Sequence, residues 1–303
     1  MKTIRLTVSL MCLISSLAFA KLKIVTTTQD MAALAREVGG DRIDILPITK
    51  GYQDPHFVDA KPSYLLKLRS ADLLIVVGRE LEVGWLPPLL TNARNSRILP
   101  GGPGFLDASE GCDVLQKPAG QIDRSMGDIH PFGNPHYWLD PENGRIIARN
   151  IARKLSEIDP DPQKTYEENL RRFESALDEK ETQWKALAAP LRGMAAITYH
   201  NSLPNFAKAF GIRIVNHVEP KPGVPPSPVH MQELITQIRK EKIPVLLIEP
   251  YFDDRLPMKI AHQTGAKMLV FPPSVGGVEG VNTYFELFDY DLKLLKSALG
   301  EKP

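Results

Sequence analysis

Along the chain, short β-branched or leucine-rich runs alternate with stretches whose apolar residues recur every three or four positions. Residues 22–28 read as a first strand, ended by Gln29-Asp30. Residues 32–38 read as a short helix closed by Gly39-Gly40, and 43–48 as a second strand. Residues 62–70 are then helical, and 73–77 form a buried strand ended by Gly78. Strand, helix and strand in this succession predict a parallel α/β sheet.

The pattern then lapses. Residues 99–136 are irregular and rich in Gly and Pro, longer than a plain connector needs. Asp140-Pro141 restarts it as an N-cap and a first-turn proline, with Ile147, Ile151, Leu155 and Ile158 on one helical stripe. After Asp159-Pro160-Asp161-Pro162, the spacing of Tyr166, Leu170, Phe173, Leu177, Trp184 and Leu187 predicts one amphipathic helix over 162–188. At about 1.5 Å per residue it would be roughly 40 Å long, the span of a domain.

The second half repeats the alternation. Strands are expected at 195–199, 213–215, 245–248 and 268–271, and helices at 203–210, 228–240, 256–264 and 284–299. Residues 219–228 hold five prolines and form an extended loop. No short repeat is present. The expected fold class is α/β, with two lobes at residues 21–160 and 190–303, each built on a parallel sheet and joined by one long rigid helix over 161–189. Such a spine predicts small lobe motions.

Charge narrows the function. The 303 residues carry 37 Lys+Arg against 36 Asp+Glu, a net charge of +1, which supplies no large positive field for nucleic acid. The start of the chain sets the compartment. Lys2 and Arg5 precede an uncharged, mostly apolar run at 6–17, and Ala18-Phe19-Ala20 places small residues where an export peptidase reads. Residues 1–20 are therefore expected to be a secretory signal peptide, cleaved before Lys21, that sends the product to a periplasm. The run is too short to span a bilayer comfortably. Met11 is bulky where a lipidation signal at Cys12 takes a small residue. Cleavage leaves Cys112 as the one cysteine and no intrachain disulfide.

In open parallel sheets, ligands bind beyond the C-terminal strand ends. His56 lies in the loop after 43–48, His200 ends the strand at 195–199, and Glu249 ends 245–248. His136 stands just before the helix that Asp140-Pro141 opens. Three imidazoles, with a carboxylate or water, suit zinc or another divalent transition metal. On spacing alone, solvated loop histidines remain the simpler account. No Gly-x-Ser-x-Gly elbow and no phosphate-binding glycine loop occurs, and Gly101-Gly102-Pro103-Gly104 reads as a turn. Cys112 reads as a stray thiol, with a nucleophile as the alternative.

Asp54-Pro55-His56 with Lys61-Pro62-Ser63 and Ala71-Asp72-Leu73 resembles the periplasmic metal-receptor proteins of zinc and manganese ABC transporters. So do Asn134-Pro135-His136-Tyr137-Trp138-Leu139-Asp140-Pro141, and Tyr199-His200-Asn201-Ser202 with Phe206-Ala207. The resemblance runs over nearly the whole mature chain in motif order. It implies metal in the cleft between the lobes, held by His56 and His136 from the first and His200 from the second. It implies Zn2+ as the transported ligand, with Mn2+ or Fe2+ as alternatives, and delivery to a membrane permease driven by a separate ATPase. Manganese receptors of this family usually have a carboxylate where this chain has His200. The family also commonly places an Asp or Glu after its last strand, whereas this chain reads Phe271-Pro272-Pro273-Ser274-Val275-Gly276-Gly277. Glu249 or water is left for the fourth position. The resemblance implies a monomeric binding protein and no enzyme; an exported three-histidine hydrolase, with Glu249 or Asp54 as base, is the rival. His130 reads as an exposed loop residue, with assistance in metal capture as its alternative role. His217, His230 and His262 read as surface or packing residues.

Overall fold

A computed structural model describes residues 21–120, 127 and 130–300. The expected signal peptide and part of the Gly/Pro-rich stretch lie outside these residues. The described chain forms two four-stranded parallel sheets of one topology. In the first, β1 (Leu22–Thr26), β2 (Ile43–Pro47), β3 (Leu73–Val76) and β4 (Phe105–Asp107) lie in the order β2-β1-β3-β4. In the second, β5 (Ala195–Thr198), β6 (Arg213–His217), β7 (Val245–Ile248) and β8 (Lys267–Val270) lie in the order β6-β5-β7-β8. Each sheet reverses direction of growth at its first strand, so each has a switch point where crossover loops splay apart. All four residues of β3 and of β7 are buried, as expected for strands covered on both faces.

Helices α1 (Gln29–Gly39), α2 (Pro62–Arg69), α3 (Leu86–Ala93) and α4 (Pro141–Ile158) accompany the first sheet. After α5 (Gln163–Ala188) come α6 (Pro204–Phe210), α7 (Pro228–Glu241), α8 (Arg255–Thr264) and α9 (Tyr284–Ala298). None of the described helices is long and apolar enough to cross a membrane.

Three local expectations are corrected. Gln29-Asp30 opens α1 rather than merely ending β1, because the Thr28 hydroxyl accepts from the Met31 N–H and turns strand into helix at once. Helix α3 was not foreseen. Its paired prolines look like breakers, yet they sit in the first turn, where backbone N–H groups have no intrahelical partner. Strand β4 lies inside the stretch read as irregular; it has three residues, too few to show a period, and pairs Leu106 with Ile75.

The 26-residue α5 is the expected spine. It packs on α1, α4 and α9, and buries Tyr166, Phe173, Leu177 and Trp184. Arg145 of α4 reaches its Asp178 at 2.8 Å, and its Trp184 donates to Asp289 of α9 at 2.7 Å. One apolar cluster runs from Ile24 of β1 through Tyr137 and Trp138 to Phe206 and Phe288, so the lobes share a core.

Their seam is closely fitted. A Cβ on Gly51, in the loop after β2, would stand 2.0 Å from the Val275 carbonyl oxygen of the other lobe. Trp138 Nε1 donates to Pro273 O at 2.9 Å, and buried Asp30 accepts from Val275 N at 2.9 Å. The loop that lacks the family's carboxylate therefore serves as the joint. A shared core and a close seam leave little room for hinge motion.

Asp291 of α9 is fully buried, with neither carboxylate oxygen partnered. Burial pushes its carboxyl well above the usual carboxylate range. Folded protein keeps a proton there that unfolded chain loses above about pH 4, so this group weakens folding as pH rises toward its folded pKa. Asp291→Asn cannot ionise. Its melting-temperature advantage over the parent should be wider at pH 8 than at pH 4.5; an equal gap at both would contradict the assignment.

Candidate metal centre

The cleft is built from two copies of one local device and a third variant. In Asp54-Pro55-His56, Asp54 Oδ1 accepts from the His56 backbone N–H at 2.9 Å and lies 2.7 Å from its Nδ1. In Asn134-Pro135-His136, Asn134 Oδ1 accepts from the His136 N–H at 3.0 Å and lies 3.0 Å from its Nδ1. Proline between Asx and His fixes its own φ and restricts the Asx before it, so the Asx oxygen closes a turn onto its own histidine. Trp85 Nε1 pins the first turn by donating to Pro55 O at 2.9 Å.

His200 lies two residues beyond the end of β5, where no such turn forms. Its Nδ1 lies 2.8 Å from Oε2 of Glu219, beyond the end of neighbouring β6. Glu219 N donates to Tyr199 O at 3.0 Å, which keeps the two strand ends in register. Glu219 also accepts from Gly223 N at 3.2 Å.

The three rings converge. Centroids are 5.3 Å apart for His56 and His136, 5.3 Å for His56 and His200, and 5.5 Å for His136 and His200. One nitrogen from each lies within 4.8 Å of the other two, the described grouping of three or more potential ligands compatible with a metal ion. Each Nδ1 faces an oxygen that accepts, so each ring carries its proton there and leaves the Nε2 lone pair free. Nε2 of His56 and of His136 is buried with no hydrogen-bond partner.

Burial, then the neighbouring His56, His200 and His130 imidazoles, holds His136 well below the ordinary histidine pKa. Burial also opposes ionisation of Asp54, but its hydrogen bonds with His56 outweigh that and keep its carboxyl below the usual range. The arrangement turns one nitrogen of each of three imidazoles toward a common point.

The other candidates divide. Glu249 lies outside the three-ligand group. Its Oε1 accepts the Ser202 hydroxyl, its Oε2 is buried without a partner, and burial raises it to about 8. Burial dominates that rise, and hydrogen bonds with Ser202 and the His200 backbone oppose it. His130 is not the exposed residue expected: its ring lies 5.4 Å from His56, its Nε2 is buried, and burial and then His56 lower its pKa to about 4. His217 donates to the Thr198 hydroxyl at 2.6 Å, and His230 to His217 O at 3.0 Å, packing roles as read.

The tethering residues were not singled out as such from sequence. The repeated Asx-Pro-His motif was a signal for Asp54 and Asn134. Glu219, 19 residues from His200, has no local signal, and only the pairing of β5 with β6 brings it there.

Two parallel sheets, one bracing helix and three inward imidazoles define a two-lobed metal-binding protein. The family described as zinc-uptake complex component A, periplasmic, matches residues 24–298. The chain belongs to this family of metal substrate-binding proteins of ABC transporters, which are not enzymes. It is 31% identical over 291 residues to the manganese ABC transporter substrate-binding lipoprotein PsaA of Streptococcus mitis, covering 93% of this chain and 90% of that protein. It is 32% identical over 293 residues to the metal ABC transporter substrate-binding lipoprotein ScbA of Streptococcus cristatus, with the same coverage. The fold matches a crystal structure of ZnuA with a TM-score of 0.77 at 22% identity, over 92% of this chain and 99% of that one. It matches the Mn-bound periplasmic metal-binding protein from Candidatus Liberibacter asiaticus with a TM-score of 0.75 at 21% identity, over 92% and 100%.

Cys112 is partly buried, and burial pushes its thiol up to about 12. It is therefore no nucleophile near neutral pH. Iodoacetamide at pH 8 should label it much more slowly in folded protein than in denaturant; equal rates would contradict this.

Proposed function

We propose that this chain is an exported receptor that captures Zn2+ through His56, His136 and His200 and passes it to a membrane permease with its ATPase. The observation that supports this reading is the convergence of three imidazoles whose Nδ1 atoms are all occupied. Three nitrogen donors with no carboxylate among them suit Zn2+ better than Mn2+, which favours oxygen ligands. The manganese named for several relatives belongs to those proteins. Water takes the fourth position in this reading, and Glu249 secures the His200 strand end through Ser202 instead of ligating.

The Asp54 and Glu219 carboxylates stand behind two of the ligands. Together they balance the charge of a divalent ion without touching it. The periplasm and the cleavable leader at 1–20 complete the proposal. A receptor must let its cargo go, and coordination without covalent change meets that need.

Neutral imidazole is required for ligation, so protons compete with metal, and affinity should fall steadily between pH 7.5 and pH 5. A zinc-competition titration checks this beside His200→Ala. One tightly held zinc per chain, weakened at least about a hundredfold in the variant, is expected. Flat affinity over that pH range, or an unaffected variant, would overturn histidine ligation.

A further inference from the structure

Above the histidines, the lobes are joined by three amide side chains. Asn134, whose Oδ1 holds His136, turns its Nδ2 to the carbonyl oxygen of Asn201 at 2.8 Å and to Gln116 Oε1 at 3.1 Å. Gln116 Oε1 also accepts from Asn201 Nδ2 at 2.8 Å. Asn201 directly follows His200. One oxygen of Gln116 thus receives a proton from the tether of one imidazole and another from the neighbour of a second.

The setting fits a gate. Gln116 has φ 55, a left-handed backbone uncommon for a residue with a Cβ. The Leu115 carbonyl beside it accepts from Asn134 N at 2.8 Å, fixing that segment against the ligand loop. A cavity of about 310 Å³ opens onto His136 and His200, and Gln116, Asn134, Asn201 and Pro222 line it. The amides and the imidazoles thus share one cavity. Gln116 itself is exposed, so its replacement empties no core.

We propose that Gln116 is a positioning residue that holds the two lobes together over the bound metal and so sets the rate of metal release. This rests on the reading of the three histidines as the metal site. Gln116 touches none of them and acts through Asn134 and Asn201. For the ion to leave, the loops carrying His200 and His136 must ease apart locally while the seam between the lobes stays closed, and that strains the two contacts that cross between the lobes there, from Asn201 to Asn134 and to Gln116. The effect is read on dissociation from the loaded protein.

The test is stopped-flow release of zinc from loaded protein into excess chelator, with Gln116→Ala, Gln116→Glu and His136→Ala beside the parent. Loss of one neutral, partly solvated hydrogen bond across the lobes should speed release by Gln116→Ala about two- to fivefold. Gln116→Glu keeps an acceptor for both donors and should release zinc no faster than the parent. Melting of the metal-free proteins separates this role from simple stabilisation. Release of zinc from Gln116→Ala at the parental rate, or a lowered melting temperature with unchanged release, would overturn the proposal. If the parent retains zinc no better than His136→Ala, the metal site itself fails, and the gate falls with it. Parental retention with unaltered Gln116→Ala release sinks the gate alone.

Discussion

The cleft depends on one constraint, the capture of each histidine's Nδ1 by an oxygen acceptor. An untethered imidazole exchanges tautomers and rotates, and a metal would have to select one state of each ring from many. Here Asp54, Asn134 and Glu219 make that selection beforehand at 2.7, 3.0 and 2.8 Å. What remains is a set of inward lone pairs, buried and without other partners at His56 and His136. Such buried, unsatisfied acceptors are costly unless something fills them, which is what a divalent ion would do under the proposed function.

The rest of the fold serves to hold those tethers still. Two of them need only a proline turn, because tether and ligand are two residues apart. The third needs a sheet, because Glu219 and His200 come from different strand ends. Relative placement of the lobes is set by α5, by the continuous core beneath Trp138 and Phe206, and by the seam at Gly51 and Val275. The loop after β8 contributes backbone to that seam. The absence of the family's carboxylate there fits a site supplied mainly by imidazoles.

Much of this was legible in the residues. Buried strands such as β3 and β7 declare themselves by continuous apolar runs, and α5 by its long stripe. The three histidines were found from strand ends and motif order. Features that depend on distant pairing were not legible. Strand β4 is too short to carry a period, α3 hides behind prolines that its first turn tolerates, and Glu219 gains its role only from pairing in the sheet. For Glu249, a strand-end position says where a carboxylate begins and not which way it turns, and one of its oxygens accepts from Ser202. His130 misled because a Gly/Pro-rich context suggests solvent, while its ring packs beside His56.

Long-range 15N–1H correlation of the histidine rings in metal-free protein at pH 7.5 reads the tautomer of the three imidazoles, on which capture in this cleft depends. His56, His136 and His200 should each show the Nδ1–H form, with Nε2 unprotonated. Rings found as Nε2–H, or averaging freely between forms, would contradict it.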